Sequence, residues 1–364
     1  VRDAQITQTG LICGQLLTNN RYNQPLKRKD MSENKITIAE IAAKANVSKS
    51  TVSRILSGNT PVTADKRTAV EQAMAELNYR PNIFAQSLAS GQSMTIGVLT
   101  QNFGSPVYDA ILRGILQGLN GTGYSPLFAD GRWEPDNERQ AIETLLDRRV
   151  DGLVVLGGLS ADSFLQEIAS RVPLCIIGRN VPQLQEACLY VDDCQGGYDA
   201  TQYLIQQGHR QIVHITGILS HSDAQLRLAG FRQALQDAGL PLDEELIVEG
   251  NFRRQSGALA VEMMMTRGRP FSAIFAANDQ MAFGARLALY RRGIRVPDDI
   301  SIIGFDDQPD SAFMTPPLTT MRQPAETIGQ RAAATILARI KGQPVENPAF
   351  RAELIIRESV IGNR

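Results

Sequence analysis

Cysteine and histidine are scarce in this 364-residue chain, with four and three copies. Cys13, Cys175, Cys188 and Cys194 form no C-x-x-C pair and no regular spacing, which excludes a disulfide framework and reads as reduced thiols in the cytoplasm. His209, His214 and His221 lack metal-site spacing, and no Cys-His pairing for nucleophilic work is legible. A Gly-rich phosphate loop and a nucleophile elbow are missing too. Gly121-Thr122-Gly123 lacks the third glycine and the preceding strand of a dinucleotide fingerprint. No apolar run approaches the roughly 20 residues that span a bilayer. Residues 11–17 are too short and too polar in their flanks for a signal peptide. The expectation is a cytoplasmic protein, with no cofactor or metal and no enzymatic machinery.

Net charge is nearly absent as well, at −1, but it is unevenly placed. Residues 35–90 carry seven basic and four acidic side chains, and residues 1–34 carry five and three. The remainder is therefore acidic by six charges. Only the N-terminal part suits a phosphate backbone. The length calls for two or three domains.

What is present is concentrated first in residues 37–56. Thr37 and Glu40 have the spacing of a capping box, and Ile38, Ile41, Ala42 and Ala45 recur at helical spacing. Asn46-Val47 interrupts that pattern, and Ser48 is placed to cap a second helix. There Val52, Ile55 and Leu56 would face the first helix, leaving Lys49, Ser50, Ser53 and Arg54 outward as a surface for a polyanion. Residues 64–79 predict a third amphipathic helix with Val70, Ala73, Met74 and Leu77 on one face. Tyr79-Arg80-Pro81-Asn82 then stops and restarts the helix ahead of Ala85-Gln86-Ser87-Leu88-Ala89.

Residues 47–54, the Tyr79-Arg80-Pro81-Asn82 junction and the 85–89 segment occur in the order seen in the lac repressor and galactose repressor (LacI/GalR) family. The chain resembles that family from about residue 35 to residue 362. The resemblance implies an N-terminal all-α helix-turn-helix head with a hinge helix, followed by an α/β two-lobed core like that of periplasmic binding proteins. The implied divisions are a disordered extension 1–34, a DNA-binding domain 35–80, a hinge and linker 81–93, and a core 94–364. Lobe 1 would take about 94–190 and 323–350, and lobe 2 about 191–322 and 351–364. DNA contacts are implied for Thr37, Ser48, Lys49, Ser50, Thr51, Ser53, Arg54 and Asn59, and in the hinge for Asn82, Ala85 and Leu88, the last as a minor-groove wedge.

From residue 94 the texture becomes strand-helix alternation. Strands are predicted at 95–100, 126–129, 152–156 and 174–177, then at 212–216, 246–249, 273–276, 300–304 and 353–358. Helices such as 110–119, 137–148 and 225–238 fill the gaps. Buried strands alternating with helices predict parallel sheets covered on both faces, with ligands bound beyond the strands' carboxyl ends.

Motif matching places effector contacts at Arg227 in Leu226-Arg227-Leu228-Ala229-Gly230-Phe231, at Asn278 and at Asp306, with Phe252 stacking on the ligand. From lobe 1, Gln101, Phe103, Tyr108, Asp130 and Arg179 are candidates, while Gly178 stands where some relatives have a polar contact. Guanidinium, amide and carboxylate groups with one aromatic face suit a small carbohydrate. A purine or nucleoside would call for more aromatic clamping, for which Phe103 and Tyr108 are the nearby residues. A transport binding protein is the further alternative; it would need an export signal and no head. The partners expected are double-stranded operator DNA, a small effector and, since no leucine heptads follow residue 358, one further copy of the chain.

Overall fold

A computed structural model describes residues 36–57, 62–79, 91–347 and 349–363, which belong to two compact units dividing between residues 90 and 91. The extension 1–34, Asn59, and the hinge residues Asn82, Ala85 and Leu88 lie outside the described residues.

Among its described residues the first unit has three helices, α1 (Ile38–Lys44), α2 (Lys49–Ser57) and α3 (Ala64–Glu76). Thr37 caps α1 reciprocally: its backbone N–H donates to Glu40 Oε2 at 2.6 Å, and Glu40 N–H donates to Thr37 Oγ1 at 3.4 Å. The turn to α2 closes on Asn46, whose φ of 53° is a left-handed value that asparagine tolerates. Ser48 Oγ then accepts from Thr51 N–H at 3.1 Å to start α2. Ile41, Ala42, Val52, Ile55, Val70 and Ala73 form the core. Ile38 is 38% exposed and does not share it. The third helix also ends earlier than predicted, with Leu77 as its cap.

In the second unit two sheets form. The first has the order β2-β1-β3-β4-β5, all parallel, from β1 (Thr95–Thr100), β2 (Ser125–Asp130), β3 (Gly152–Leu156), β4 (Leu174–Ile177) and β5 (Cys188–Leu189). The second has the order β11-β10-β9-β8-β6-β7, from β6 (Ile212–Thr216), β7 (Ile247–Glu249), β8 (Ala273–Ala276), β9 (Ser301–Asp306), β10 (Thr319–Arg322) and β11 (Glu353–Ile355). Within it only β11 runs antiparallel. Side chains alternate across the first sheet. Ile96 and Val98 pack under α4 (Pro106–Leu119) and α11 (Ala325–Ile340), whereas Leu99 and Leu153 face α5 (Pro135–Asp147) and α6 (Asp162–Arg171). The second sheet is likewise covered by α7 (Asp193–Gln206) and α8 (Ser222–Asp237) on one face and by α9 (Arg254–Arg267) and α10 (Asp279–Arg291) on the other. The chain therefore leaves the first sheet after β5, returns to it as α11 after β10, and leaves again to form β11.

Strand order reverses beside β1 and β3 in one sheet and beside β6 and β8 in the other. These switch points leave a crevice at the carboxyl ends of the strands.

The return of α11 depends on contact of backbone with backbone. A Cβ added to Gly329 would lie 2.0 Å from Ile111 O, and one added to Gly114 would lie 2.1 Å from Glu326 O. Gly329→Ala should therefore force α4 and α11 apart and cost about 1–3 kcal/mol. The measurement is thermal unfolding of the purified chain, in which the variant should melt several degrees lower. An unchanged melting temperature would show that the helices have room to spare.

Candidate functional site

A cavity of about 1110 Å³ lies between the carboxyl ends of the two sheets. Arg227, on α8, is its best-held polar group and is only 3% exposed. Its Nε donates to Asp193 Oδ1 at 2.8 Å, one terminal nitrogen lies 2.8 Å from the same oxygen, and the other donates to Ala277 O at 2.5 Å and lies 3.9 Å from Asp306. The guanidinium also covers the Phe305 ring at 3.8 Å. Close helix packing sets this geometry, since a Cβ on Gly197 of α7 would meet Arg227 O at 2.4 Å. Burial alone would lower the arginine's pKa, but Asp193, Asp223 and Asp306 together raise it above its ordinary value.

Asp306 ends β9 with a φ of 112°, and Asp307 follows at 53°. This bend sends the two carboxylates to different partners. Asp306 accepts from Gln323 Nε2 at 2.7 Å and Gln308 Nε2 at 3.2 Å, whereas Asp307 pairs with Arg322 and Arg357, each at 2.7 Å. Burial raises both Asp193 and Asp306 to about 6, with Arg227 opposing the shift. Asn278 caps α10 by accepting from Met281 N–H at 3.0 Å, and its Nδ2 donates to Phe252 O at 3.1 Å. That bond anchors Phe252, which has a φ of 62° and a ring lying where a side chain on Gly217 would otherwise be.

On the lobe-1 side, Gln101 follows β1 and accepts the Trp133 backbone N–H at 2.9 Å, while its own buried Nε2 finds no partner among the described residues. Trp133 and the preceding Arg132 have φ values of 57° and 55°, conformations that cost non-glycine residues about 1–3 kcal/mol each. The indole stacks on His221 with centroids 3.9 Å apart, with Tyr108 on one side of the pair at 6.1 Å and Phe252 on the other at 5.8 Å. Burial first, then the nearby Asp223 and Asp306, push the Tyr108 hydroxyl well above its ordinary value.

In the other unit, Val52 and Ile55 hold one side of α2 against α1 and α3, and Lys49, Ser50, Ser53 and Arg54 are exposed. Ser48 Oγ sits 2.8 Å from both Ser50 Oγ and Thr51 Oγ1. Thr37 and Ser48 thus fix the helix starts while the outer side of α2 presents cationic and hydroxyl groups.

The profile for bacterial regulatory proteins of the lacI family matches residues 37–82, and a periplasmic binding protein-like domain matches residues 201–360. The HTH-type transcriptional regulator AscG of Escherichia coli (strain K12) is 34% identical over 330 residues, covering 89% of this chain and 98% of AscG. The chain belongs to the LacI family of bacterial regulatory proteins. Among solved structures, the lac repressor dimer bound to operator and the anti-inducer ONPF is similar at a TM-score of 0.80, with 32% identity and coverage of 90% and 99% of the two chains. A complex of the transcriptional regulator CelR with cellobiose has a TM-score of 0.68, 33% identity and coverage of 89% and 99%. Membership makes this protein a transcriptional regulator rather than an enzyme. No helix among the described residues is long and apolar enough to cross a membrane.

Set in this LacI-family core, Arg227, Asn278, Asp306, Phe252, Tyr108, Gln101, Asp130 and Arg179 all line one cavity. Phe103 does not. It belongs to the turn between β1 and α4, is 52% exposed, and points to solvent while its neighbour Asn102 meets the cavity. Arg179 reaches the wall, but its guanidinium is occupied by Gly158 O, Ser160 O and Asp162 of its own lobe. Asp130 accepts from Arg132 N–H and so helps to shape the turn before Trp133. Gly178 has a φ of 82° and open space around it. Sequence reasoning missed Asp193, Trp133 and His221. The nearby aromatics named from the sequence for a nucleoside effector, Phe103 and Tyr108, are therefore corrected: Tyr108 lines the cavity with Trp133, His221 and Phe252, and Phe103 does not.

The raised carboxyls give a signed pH dependence. Their folded values lie above the ordinary 3.8, so ionisation opposes folding. The stability they contribute is complete below about pH 4 and is lost as the pH rises through about 6. Asp306→Asn removes one of these titrations. The melting temperature of the parent relative to that variant should fall between pH 4 and pH 7 and stay level above it. A constant difference across that range would show that Asp306 ionises normally.

Proposed function

We propose that this protein represses a carbohydrate-utilisation operon from the cytoplasm, binding a palindromic operator as a homodimer and responding to a small neutral sugar in the cleft. The observation that carries the reading is the convergence of Arg227, Asp306 and Asn278 on one wall of a cavity that also holds aromatic faces. Guanidinium and carboxylate meet vicinal hydroxyls in pairs, and a flat ring covers the C–H face of a pyranose. A nucleoside effector is the second reading, favoured by the row Tyr108, Trp133, His221 and Phe252. Thermal-shift measurements with cellobiose, D-galactose, D-ribose, cytidine and adenosine separate the two.

Dimerisation has apolar material available. Leu259 and Met263 on α9, Leu287 and Tyr290 on α10, and Phe313 are exposed, and Arg254 ties these elements together through Gln280 and Asp310. The switch works by differential affinity: a ligand can change operator binding only as far as it prefers one lobe arrangement over the other.

Arg54→Ala tests the head. If Arg54 reads a base edge, the variant should lose about 1–3 kcal/mol at one base pair per half-site and relax the preference there. Selection from a randomised operator library measures it, and an equal loss on every sequence would make Arg54 a phosphate contact.

Asp306→Ala tests the cleft. The variant should bind operator as the parent does while its response to effector falls by about tenfold or more. Effector titration of operator binding by fluorescence anisotropy is the measurement. An unchanged response in a folded, dimeric variant would remove Asp306 from the site.

A further inference from the structure

Trp133 is the only tryptophan in the chain, and the backbone that presents it is strained at two successive residues. Strain of this kind persists only where surrounding structure holds it. Here Asp130 Oδ1 accepts from Arg132 N–H at 3.0 Å, Gln101 Oε1 accepts from Trp133 N–H, and Glu134 N–H donates to Gly131 O at 3.1 Å. Gly157 completes the seat, because a Cβ there would come within 3.0 Å of the indole and 2.8 Å of the Tyr108 hydroxyl. All of these groups belong to the first lobe. The partner on the indole face does not: His221 precedes α8 in the second lobe, is 5% exposed, and lies nearly parallel to the indole, with 19° between the planes.

A centroid separation of 3.9 Å is one van der Waals layer. A ligand ring lying between the two would need about twice that spacing. The imidazole therefore occupies the place that a ligand would take on Trp133. We infer that Trp133 is the first lobe's stacking platform for the ligand ring, and that His221 competes with the ligand for this platform, so that binding parts the pair. The inference rests on the reading of the cleft as the effector site and deepens it. It adds a specificity-determining residue on the lobe opposite Arg227 and makes the contact between lobes the competitor of the ligand. The ligand class is a pyranoside with one ring face free of axial hydroxyls, since only such a face lies flat on an indole.

The single indole makes the test direct. Emission of the full chain is recorded with excitation at the red edge, where tyrosine does not contribute. His221→Ala should uncover the indole, shifting the ligand-free spectrum and raising acrylamide quenching about twofold. It should also bind whichever of cellobiose, D-galactose and D-ribose the parent binds with about threefold to tenfold higher affinity, because a competing stack of ordinary strength has been removed. Trp133→Leu should lose about tenfold in affinity for that sugar, and Trp133→Phe should recover part of it. An unaltered spectrum and unaltered quenching in His221→Ala would overturn the covering role. Parent-like sugar affinity in Trp133→Leu, alongside a lost response in Asp306→Ala, would overturn the platform and leave the cleft reading standing. Should neither Trp133→Leu nor Asp306→Ala alter sugar binding, the cleft reading itself falls and takes this inference with it; binding of cytidine or adenosine but none of the three sugars to the parent would overturn the pyranoside class.

Discussion

A buried guanidinium sets the terms for the whole core. Arg227 can stay charged at 3% exposure only because Asp193, Asp306, the Ala277 carbonyl and the Phe305 face surround it. Removing an ion's partner inside a protein costs several kcal/mol, so these groups cannot drift independently. They come from α7, α8, β9 and the end of β8, which are separate in sequence and fixed in space by one cation. The strand-end bend at Asp306, the close approach of α7 and α8 at Gly197 and the cap at Asn278 each place a group of this cluster or of its immediate border.

Around that cluster the two sheets supply complementary chemistry. The second offers charge and amide, with Arg227, Asp306 and Asn278, whereas the first offers an aromatic surface raised on a strained turn. A molecule that satisfies both must touch both. The lobe arrangement then becomes a function of occupancy, which is the physical content of regulation by a small ligand in this family. How far the arrangement shifts depends on how differently the ligand contacts the alternatives, not on how tightly it is held.

Much of this was legible in the sequence, and the gaps have identifiable causes. The Thr37 and Glu40 box, the outward set on α2 and most strands follow from local spacing, which is why they could be read without a structure. Asp193 was invisible. It sits beside Asp192 at a helix start, where an acidic pair reads as capping, and Asp192 indeed caps while Asp193 turns to an arginine 34 residues away. Trp133 and His221 lie in turns where no period says which way a side chain points, and their contact joins different lobes. The same lack of a period in turns placed Phe103 on the wrong side of its backbone. The two-residue strand β5 is too short for a pattern, and β10, Thr-Thr-Met-Arg, has no apolar run to mark it; both exist through pairing with their neighbours.

The threefold passage of the chain between the sheets bears on how such a regulator can change over generations. The helical head is one uninterrupted stretch and can be exchanged whole by recombination, carrying its operator preference with it. Neither lobe has that property, because α11 is encoded after the second sheet yet completes the first, and β11 is encoded after α11 yet completes the second. A crossover anywhere in the core would mix halves of two ligand walls and two helix seams. The core can therefore pass between relatives only whole, at the same junction that frees the head, and a change confined to one wall of the cleft has to be made by substitution at the strand ends.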